Sequence, residues 1–340
     1  MSLTADPLIV ADLGGTWWRT AILTDSDELV EIRRERAVTR NSTRSHPSTL
    51  RALMVRFLLD RVHALRAICP EARQVGISIG AAVDARSNLV LASAPLWGDY
   101  TEPWNLLAEL RSAEPDLEWT LLQDLTALAL AARADTDAKA GWRCVSVVTV
   151  SSGIGARTID LATGEFDWDS RGLQGEIGHL PVPTRTPPAV CDCGTIGHLA
   201  AYASGRALER DLAASAAALG VAPRTTWLSS LRAALDSENE AATAFLDAHT
   251  APLAATLLAM AVIDPRVDHI YLSGGVVDTL DSHYSASISR GLDEGGGLYL
   301  ASNHPQGRLD SMIDRLPGDD GTLPLRGAGL AARADRNERR

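Results

Sequence analysis

Apolar and polar positions along this chain fall into short strand-like runs separated by turns of small residues, with several longer helical stretches. Leu8 to Leu13 is continuously apolar, Gly14-Gly15-Thr16 interrupts it, and the run resumes from Trp18 to Leu23, a strand–turn–strand pattern. A third strand over Leu29 to Val38 completes a meander. From Ser48 to Ile68 the apolar residues recur at helical spacing (Leu50, Leu53, Met54, Phe57, Leu58, Val62, Leu65), which predicts an amphipathic helix. Val75 to Gly80 and Leu89 to Ala92 read as buried strands. Ser93 to Asn105 reads as a loop whose tryptophans could wall a ring-shaped ligand or belong to the core. Glu118 to Gln123 is another strand, Asp124 stands at its exit, and Leu125 to Ala134 follows as a helix.

A second cycle then repeats the first. Cys144 to Val150 is a β-branched strand, Ser151 to Gly155 a turn of small residues, and Ala156 to Leu161 the returning strand. Two such units in one chain predict two similar lobes, each offering a backbone turn. Helices are expected near Leu199 to Leu219 and Ala241 to Ile263. A strand over His269 to Leu272 ends in a third glycine turn, Ser273-Gly274-Gly275-Val276. Gly327 to Ala331 predicts a helix, with a charged tail from Arg333 to Arg340 that should fray.

Composition narrows the function. The 340 residues are 46% hydrophobic and 22% charged, enough for two buried cores in a globular protein. A net charge of −11 argues against nucleic acid or an anionic membrane as partner, though not against a nucleotide held locally. No run of about 18 apolar residues predicts a membrane span, and Met1 to Pro7 has no basic leader pattern. Four cysteines, of which Cys69 and Cys144 sit in apolar surroundings, fit a reduced, cytoplasmic protein.

Three places carry candidate chemistry. Gly14-Gly15 permits positive φ and lets backbone approach a ligand, and Asp12 could hold hydrated magnesium; the same residues also suit a plain hairpin turn. Asp124 lies where a strand ends, the ligand-binding edge of α/β sheets, and is equally a preferred helix cap. His179, Cys191, Cys193 and His198 offer the nitrogen and sulfur ligands of tetrahedral zinc, with Glu176 three residues before His179; the alternative is a loop packed without metal.

Taken in order, Asp12-x-Gly14-Gly15-Thr16-x-x-Arg19, Ser152-Gly153-Ile154-Gly155, Glu176-x-Gly178-His179, Cys191-x-Cys193-Gly194-x-x-Gly197 and Ser273-Gly274-Gly275 resemble the ROK family (repressors, open reading frames, sugar kinases) over residues 8 to 332. The resemblance implies an α/β, actin-like ATPase (ribonuclease-H-like) fold of two lobes around a central cleft, commonly as a homodimer. Residues 1–125 with a C-terminal helix 323–340 would form one lobe and 126–322 the other. It implies ATP and Mg2+ at Asp12, Gly14, Gly15, Thr16, Ser152, Gly153, Gly155, Gly274 and Gly275, with Asp124 as the base on the attacking hydroxyl. Gln123, Asp124, Glu176, His179 and Asn105 would meet the acceptor, and His179, Cys191, Cys193 and His198 a structural Zn2+.

Departures from the family pattern concentrate on the acceptor side. His198 replaces a cysteine, Ala200 a glutamate near the anomeric end of the sugar, Gln123 an asparagine, Pro95-Leu96 an Asn-Leu pair, and Ala81-Ala82 a Gly-Gly or Pro-Gly pair. Intact phosphate turns beside a rewritten acceptor wall predict a kinase for a C7-cyclitol of the valiolone type, as in aminocyclitol biosynthesis. A glucokinase or N-acyl-hexosamine kinase is the alternative, and a sugar-binding, non-catalytic ROK protein a remoter one. A DNA-binding ROK repressor is disfavoured, because Asp12 leaves no room for a preceding helix-turn-helix.

Overall fold

The computed structural model describes residues 7–136, 141–166, 171–183, 188–222, 224–295, 309–318 and 320–339; Met1 to Asp6, most of the stretch read for a leader pattern, lie outside them. In chain order the first elements are β1 (Leu8–Leu13), β2 (Trp17–Leu23), β3 (Leu29–Arg36), α1 (Arg40–Thr43) and α2 (Pro47–Arg66). Next come β4 (Gln74–Ile79), β5 (Ala82–Asp84), β6 (Leu89–Ala92), α3 (Ala94–Trp97), α4 (Leu106–Ala113), β7 (Glu118–Gln123) and α5 (Asp124–Asp135). The chain continues with β8 (Cys144–Val150), β9 (Ile154–Asp160), α6 (Ala200–Ala203), α7 (Gly205–Ser215), α8 (Trp227–Asp236) and α9 (Glu240–Ile263). It closes with β10 (Val267–Ser273), α10 (Gly275–Leu280), α11 (Ser282–Glu294), β11 (Ile313–Arg315) and α12 (Leu323–Arg339).

Two compact units result: Met1–Thr136 with Phe166–Gln174 and Asp319–Arg340, and Asp137–Glu165 with Gly175–Gly318. The division falls after α5, later than residue 125, because that helix is continuous from Asp124.

The first unit carries a five-stranded sheet in the order β3-β2-β1-β4-β7. β1, β2 and β3 pair antiparallel as the meander predicts, whereas β4 and β7 run parallel to β1. On one face, Leu50, Met54, Leu58, Val62 and Leu65 of α2 pack on Ile9, Ala11, Leu13, Trp18 and Ile22. On the other, α12 covers Leu8, Val10, Ala21 and Leu23. The tail from Arg333 does not fray. It stays helical to Arg339, and Arg333 donates to the Asp27 carboxylate and the Thr24 carbonyl.

The segment Ser93 to Asn105 is more ordered than a loop. Ser93 caps α3, its Oγ accepting from Leu96 N at 3.1 Å. Trp97 and Trp104 point inward and meet edge to face at 6.0 Å, so the core reading holds for both. The Arg51 guanidinium lies about equally close to the rings of Trp97, Tyr100 and Trp104 and donates to the Glu102 carbonyl at 2.6 Å.

The second unit repeats the pairing logic with a sheet ordered β11-β10-β8-β9, where β8 and β9 are antiparallel and β10 and β11 run parallel to β8. The helix expected over Leu199 to Leu219 is broken, because Ser204 caps a new helix at Gly205. Among the described residues one helix, α9, is long and apolar enough by composition alone to cross a membrane, longer than the apolar runs counted in the sequence. It is a core helix. Ala242, Leu246, Leu253 and Leu257 are buried in the second unit, and His249 hydrogen-bonds Asp211 from its middle.

Small residues set how closely α12 sits. A Cβ on Gly327 would overlap the Ala127 carbonyl of α5, which is backbone and cannot swing aside. Gly327→Ala is expected to cost about 1–3 kcal/mol or more through overpacking, read as a lower thermal midpoint. An unchanged midpoint would mean that α12 can shift.

Candidate active site

In the first unit the parallel register ends three strands on one line, since Leu13 pairs with Ile79 and Ile79 with Gln123. The segments leaving those strands therefore emerge together. After β1 comes the Gly14-Gly15-Thr16 turn, closed by Gly14 N donating to Trp17 O at 3.0 Å. Neither glycine takes positive φ, so the freedom expected there is not used; the small side chain matters for approach instead. After β4 comes Gly80, whose N donates to Leu13 O at 3.0 Å. A Cβ on Gly80 would stand 3.4 Å from Asp124 Oδ2 and 3.6 Å from Gly14 Cα. The Asp124 carboxylate and the glycine turn thus converge on one point, kept open by the missing side chain.

Asp124 is the first residue of α5, and its Oδ1 accepts from Leu125 N at 2.8 Å. A carboxylate in this first turn is favoured by the helix N-terminus, but the cap position falls on Gln123, so Asp124 is not the N-cap residue expected. Gln123 is buried at the end of β7. Asp12 is buried at the end of β1, accepting from Ser78 Oγ at 2.9 Å and from Arg19 Nη1 at 2.8 Å. A carboxylate so oriented, beside a hydroxyl and a backbone turn, suits a hydrated hard cation. Asn105 serves as the N-cap of α4, its Oδ1 accepting from Ala108 N at 2.9 Å. Ser78, Gly80 and Arg19 were not expected as site residues. Only the small residues closing β4 and the Arg19 of the first motif hinted at them.

In the second unit, the turn between β8 and β9 is Ser151-Ser152-Gly153, closed by Ser151 N donating to Gly153 O at 2.9 Å. Gly155, expected within this turn, lies in β9 opposite Thr149. Gly205 at the start of α7 donates its N–H to Ser151 O at 2.8 Å, so the break at Ser204-Gly205 brings a helix start against the turn. Sequence periodicity ran through that break; the Ser-Gly pair was its one local signal. The third glycine turn joins them. Gly274 has φ +105°, and a Cβ there would lie 2.6 Å from the Val150 carbonyl, so only glycine fits. Among the described residues nothing lies within 4 Å of a Cβ position on Gly275, which leaves room beside the turn.

Glu176 and His179 flank one 3-10 turn, Ile177–His179. Gly175 and Gly178 press this turn onto the β9 backbone, where Cβ atoms would overlap the carbonyls of Ala156 and Ile154. His179, Cys191, Cys193 and His198 converge, with their ligand atoms all within 4.8 Å of one another. His179 Nδ1 lies 3.3 Å from His198 Nδ1, and Cys193 Sγ 3.2 Å from His198 Nδ1. Two nitrogens bound to one tetrahedral zinc stand about 3.4 Å apart, so the spacing fits such an ion. Burial, with the nearby His179, pushes His198 below the usual histidine range. Burial pushes the Cys191 thiol up to about 11, a penalty a bound cation would relieve by stabilising the thiolate. Ala200 begins α6 and packs half-buried beside Cys191, Cys193 and Tyr202.

The first unit thus sets a carboxylate beside a backbone turn, and the second brings two glycine turns together, an arrangement able to offer backbone N–H groups to phosphates. The ROK family model matches residues 8–294. A 2-epi-5-epi-valiolone 7-kinase of Actinoplanes sp. is 39% identical over 96% of this chain and 93% of its own length. A C(7)-cyclitol 7-kinase of Streptomyces hygroscopicus subsp. jinggangensis is 32% identical over 64% of this chain and 61% of its own. Among solved structures, a ROK family glucokinase from Streptomyces griseus, in complex with glucose and AMPPNP, superimposes with a TM-score of 0.70 at 18% identity, covering 96% of this chain and 99% of that one. The chain belongs to the ROK family and is a kinase.

Proposed function

We propose that this protein transfers the γ-phosphoryl group of ATP to a hydroxyl, a primary one, of a C7-cyclitol of the valiolone type. The near full-length likeness to the Actinoplanes kinase carries the choice of acceptor. Ala200 supports it: where the family resemblance implies a carboxylate for the anomeric end of a hexose, this chain has a methyl group. A cyclitol has no anomeric centre to be read there.

In this reading Asp124 Oδ2 accepts the proton of the acceptor hydroxyl as its oxygen attacks the γ-phosphorus, and aligns that oxygen in line with the leaving ADP. The Gly14-Gly15-Thr16 and Ser152-Gly153 turns offer backbone N–H groups to the phosphates, and Gly274-Gly275 borders the adenosine. Asp12 would hold Mg2+, which supplies charge neutralisation for the developing phosphate oxygens when bound. Gln123, Glu176 and His179 orient the acceptor ring. A Zn2+ held by His179, Cys191, Cys193 and His198 is structural, pinning the loop that presents Glu176 and His179. The enzyme works as a cytoplasmic homodimer, in keeping with its acidic charge and the family pattern.

Asp124→Asn is expected to lower kcat by about a hundredfold or more while ATP-analogue affinity by calorimetry stays near the wild-type value. Normal turnover in this variant would remove Asp124 as the base. In a panel assay with ATP, a valiolone-type cyclitol should give the highest kcat/KM, and a clear preference for glucose or an N-acyl-hexosamine would sink the cyclitol assignment. Ala200→Glu should shift that ratio toward hexoses. Elemental analysis should find one zinc per chain, lost together with a drop in thermal midpoint in Cys191→Ala; a metal-free wild type of unchanged stability would refute the structural zinc.

A further inference from the structure

Arg19 has no role in the chemistry above, yet its side chain is the one that β2 aims at Asp12. Register dictates the contact. Asp12 lies opposite Arg19 across β1–β2 and opposite Ser78 across β1–β4, so one carboxylate receives a hydrogen bond from each neighbouring strand. Residues directly opposite on antiparallel strands share a face, and the row continues outward to Arg34, opposite Arg19 on β3. Arg36 lies opposite Trp17 in the next repeat, and both guanidiniums stack on the Trp17 ring, at 3.6 and 4.1 Å from its centroid. Burial, then the charges of Arg19 and Arg36, hold Arg34 below the usual arginine range. Positive charge therefore accumulates on the side of Arg19 away from Asp12. Its favourable direction is toward the carboxylate.

That pair makes two kinds of visitor unequal. A bare divalent cation approaching Asp12 meets the Arg19 charge and must compete for a carboxylate already hydrogen-bonded on both oxygens. A metal–nucleotide complex carries net negative charge on its phosphates, so Arg19 attracts it as a whole. We propose that Arg19 is a positioning residue that acts as the resident counter-ion of Asp12, disfavouring a bare divalent cation there and admitting the metal as its nucleotide complex. This inference rests on the kinase reading only for the arrival of the nucleotide.

The test uses Mn2+ as probe, titrated into zinc-treated, nucleotide-free protein and followed by the paramagnetic resonance signal of the free ion. Arg19→Gln keeps an N–H donor but loses the charge, while Arg19→Lys keeps the charge. Mn2+ should bind Arg19→Gln about tenfold or more tightly than wild type. Arg19→Lys should match wild type, and the added affinity should vanish in the Asp12→Asn/Arg19→Gln double variant. The Mn2+ complex of AMPPNP should bind Arg19→Gln more weakly than wild type. Equal Mn2+ affinity in wild type and Arg19→Gln overturns the proposal. So does an equal gain in Arg19→Lys, whose conserved charge leaves the sheet intact even if the glutamine variant folds poorly. None of these readouts needs an acceptor or turnover; a wild type that transfers no phosphoryl group would defeat the kinase reading alone.

Discussion

The parallel pairing of β1 with β4 and of β4 with β7 is the constraint on which the first unit depends. Hydrogen bonds along these strands leave no freedom of register, so Leu13, Ile79 and Gln123 end in one row. Everything that leaves the row inherits the alignment: the Gly14 turn, Gly80 and Asp124 meet because their strands stop together. A slip of one residue in β7 would turn Asp124 to the other side of the sheet. The second unit uses the same device with β8 and β10, whose Thr149 and Ser273 pair just before the two glycine turns.

Close backbone contact then converts aligned strands into a site. Gly274 lies against Val150, Gly175 and Gly178 against β9, and Gly205 against Ser151. Each contact brings main chain to main chain where a methyl group would push the loops apart. Stiffness gained this way suits phosphoryl transfer, which depends more on positioning and fixed dipoles than on covalent chemistry. Ring packing stiffens the first unit as well, where Arg51 ties α2 to the segment holding Trp97, Tyr100 and Trp104.

The cysteine–histidine cluster and Glu176 belong to one mechanical piece. Gly175 and Gly178 hold its start on β9, and the four ligand residues gather its far end, so the 3-10 turn between them has little room to move. Ala200 follows His198 by two residues and lies in the same small core. Ala200 is therefore held by the cysteine–histidine loop itself.

Much of this was legible in the amino-acid order. The strands Leu8–Leu13, Glu118–Gln123 and Cys144–Val150, the small-residue turns after the first and last of them and the clustered Cys and His residues are local patterns, set by apolar periodicity and by residues that tolerate tight turns. Other features depended on neighbours far along the chain. Periodicity alone carried a helix through Ser204-Gly205, because the contact that stops it comes from Ser151, far earlier in the sequence. Asn105 was read for an acceptor role, and its part as the cap of α4 depends on where that helix begins. Arg19 was visible as a letter of the first motif, but its grip on Asp12 depends on cross-strand register. Local sequence determined which segments form strands, turns and ligands; only the tertiary structure decided which of them meet, since register and backbone contact are set between segments that the chain order keeps apart.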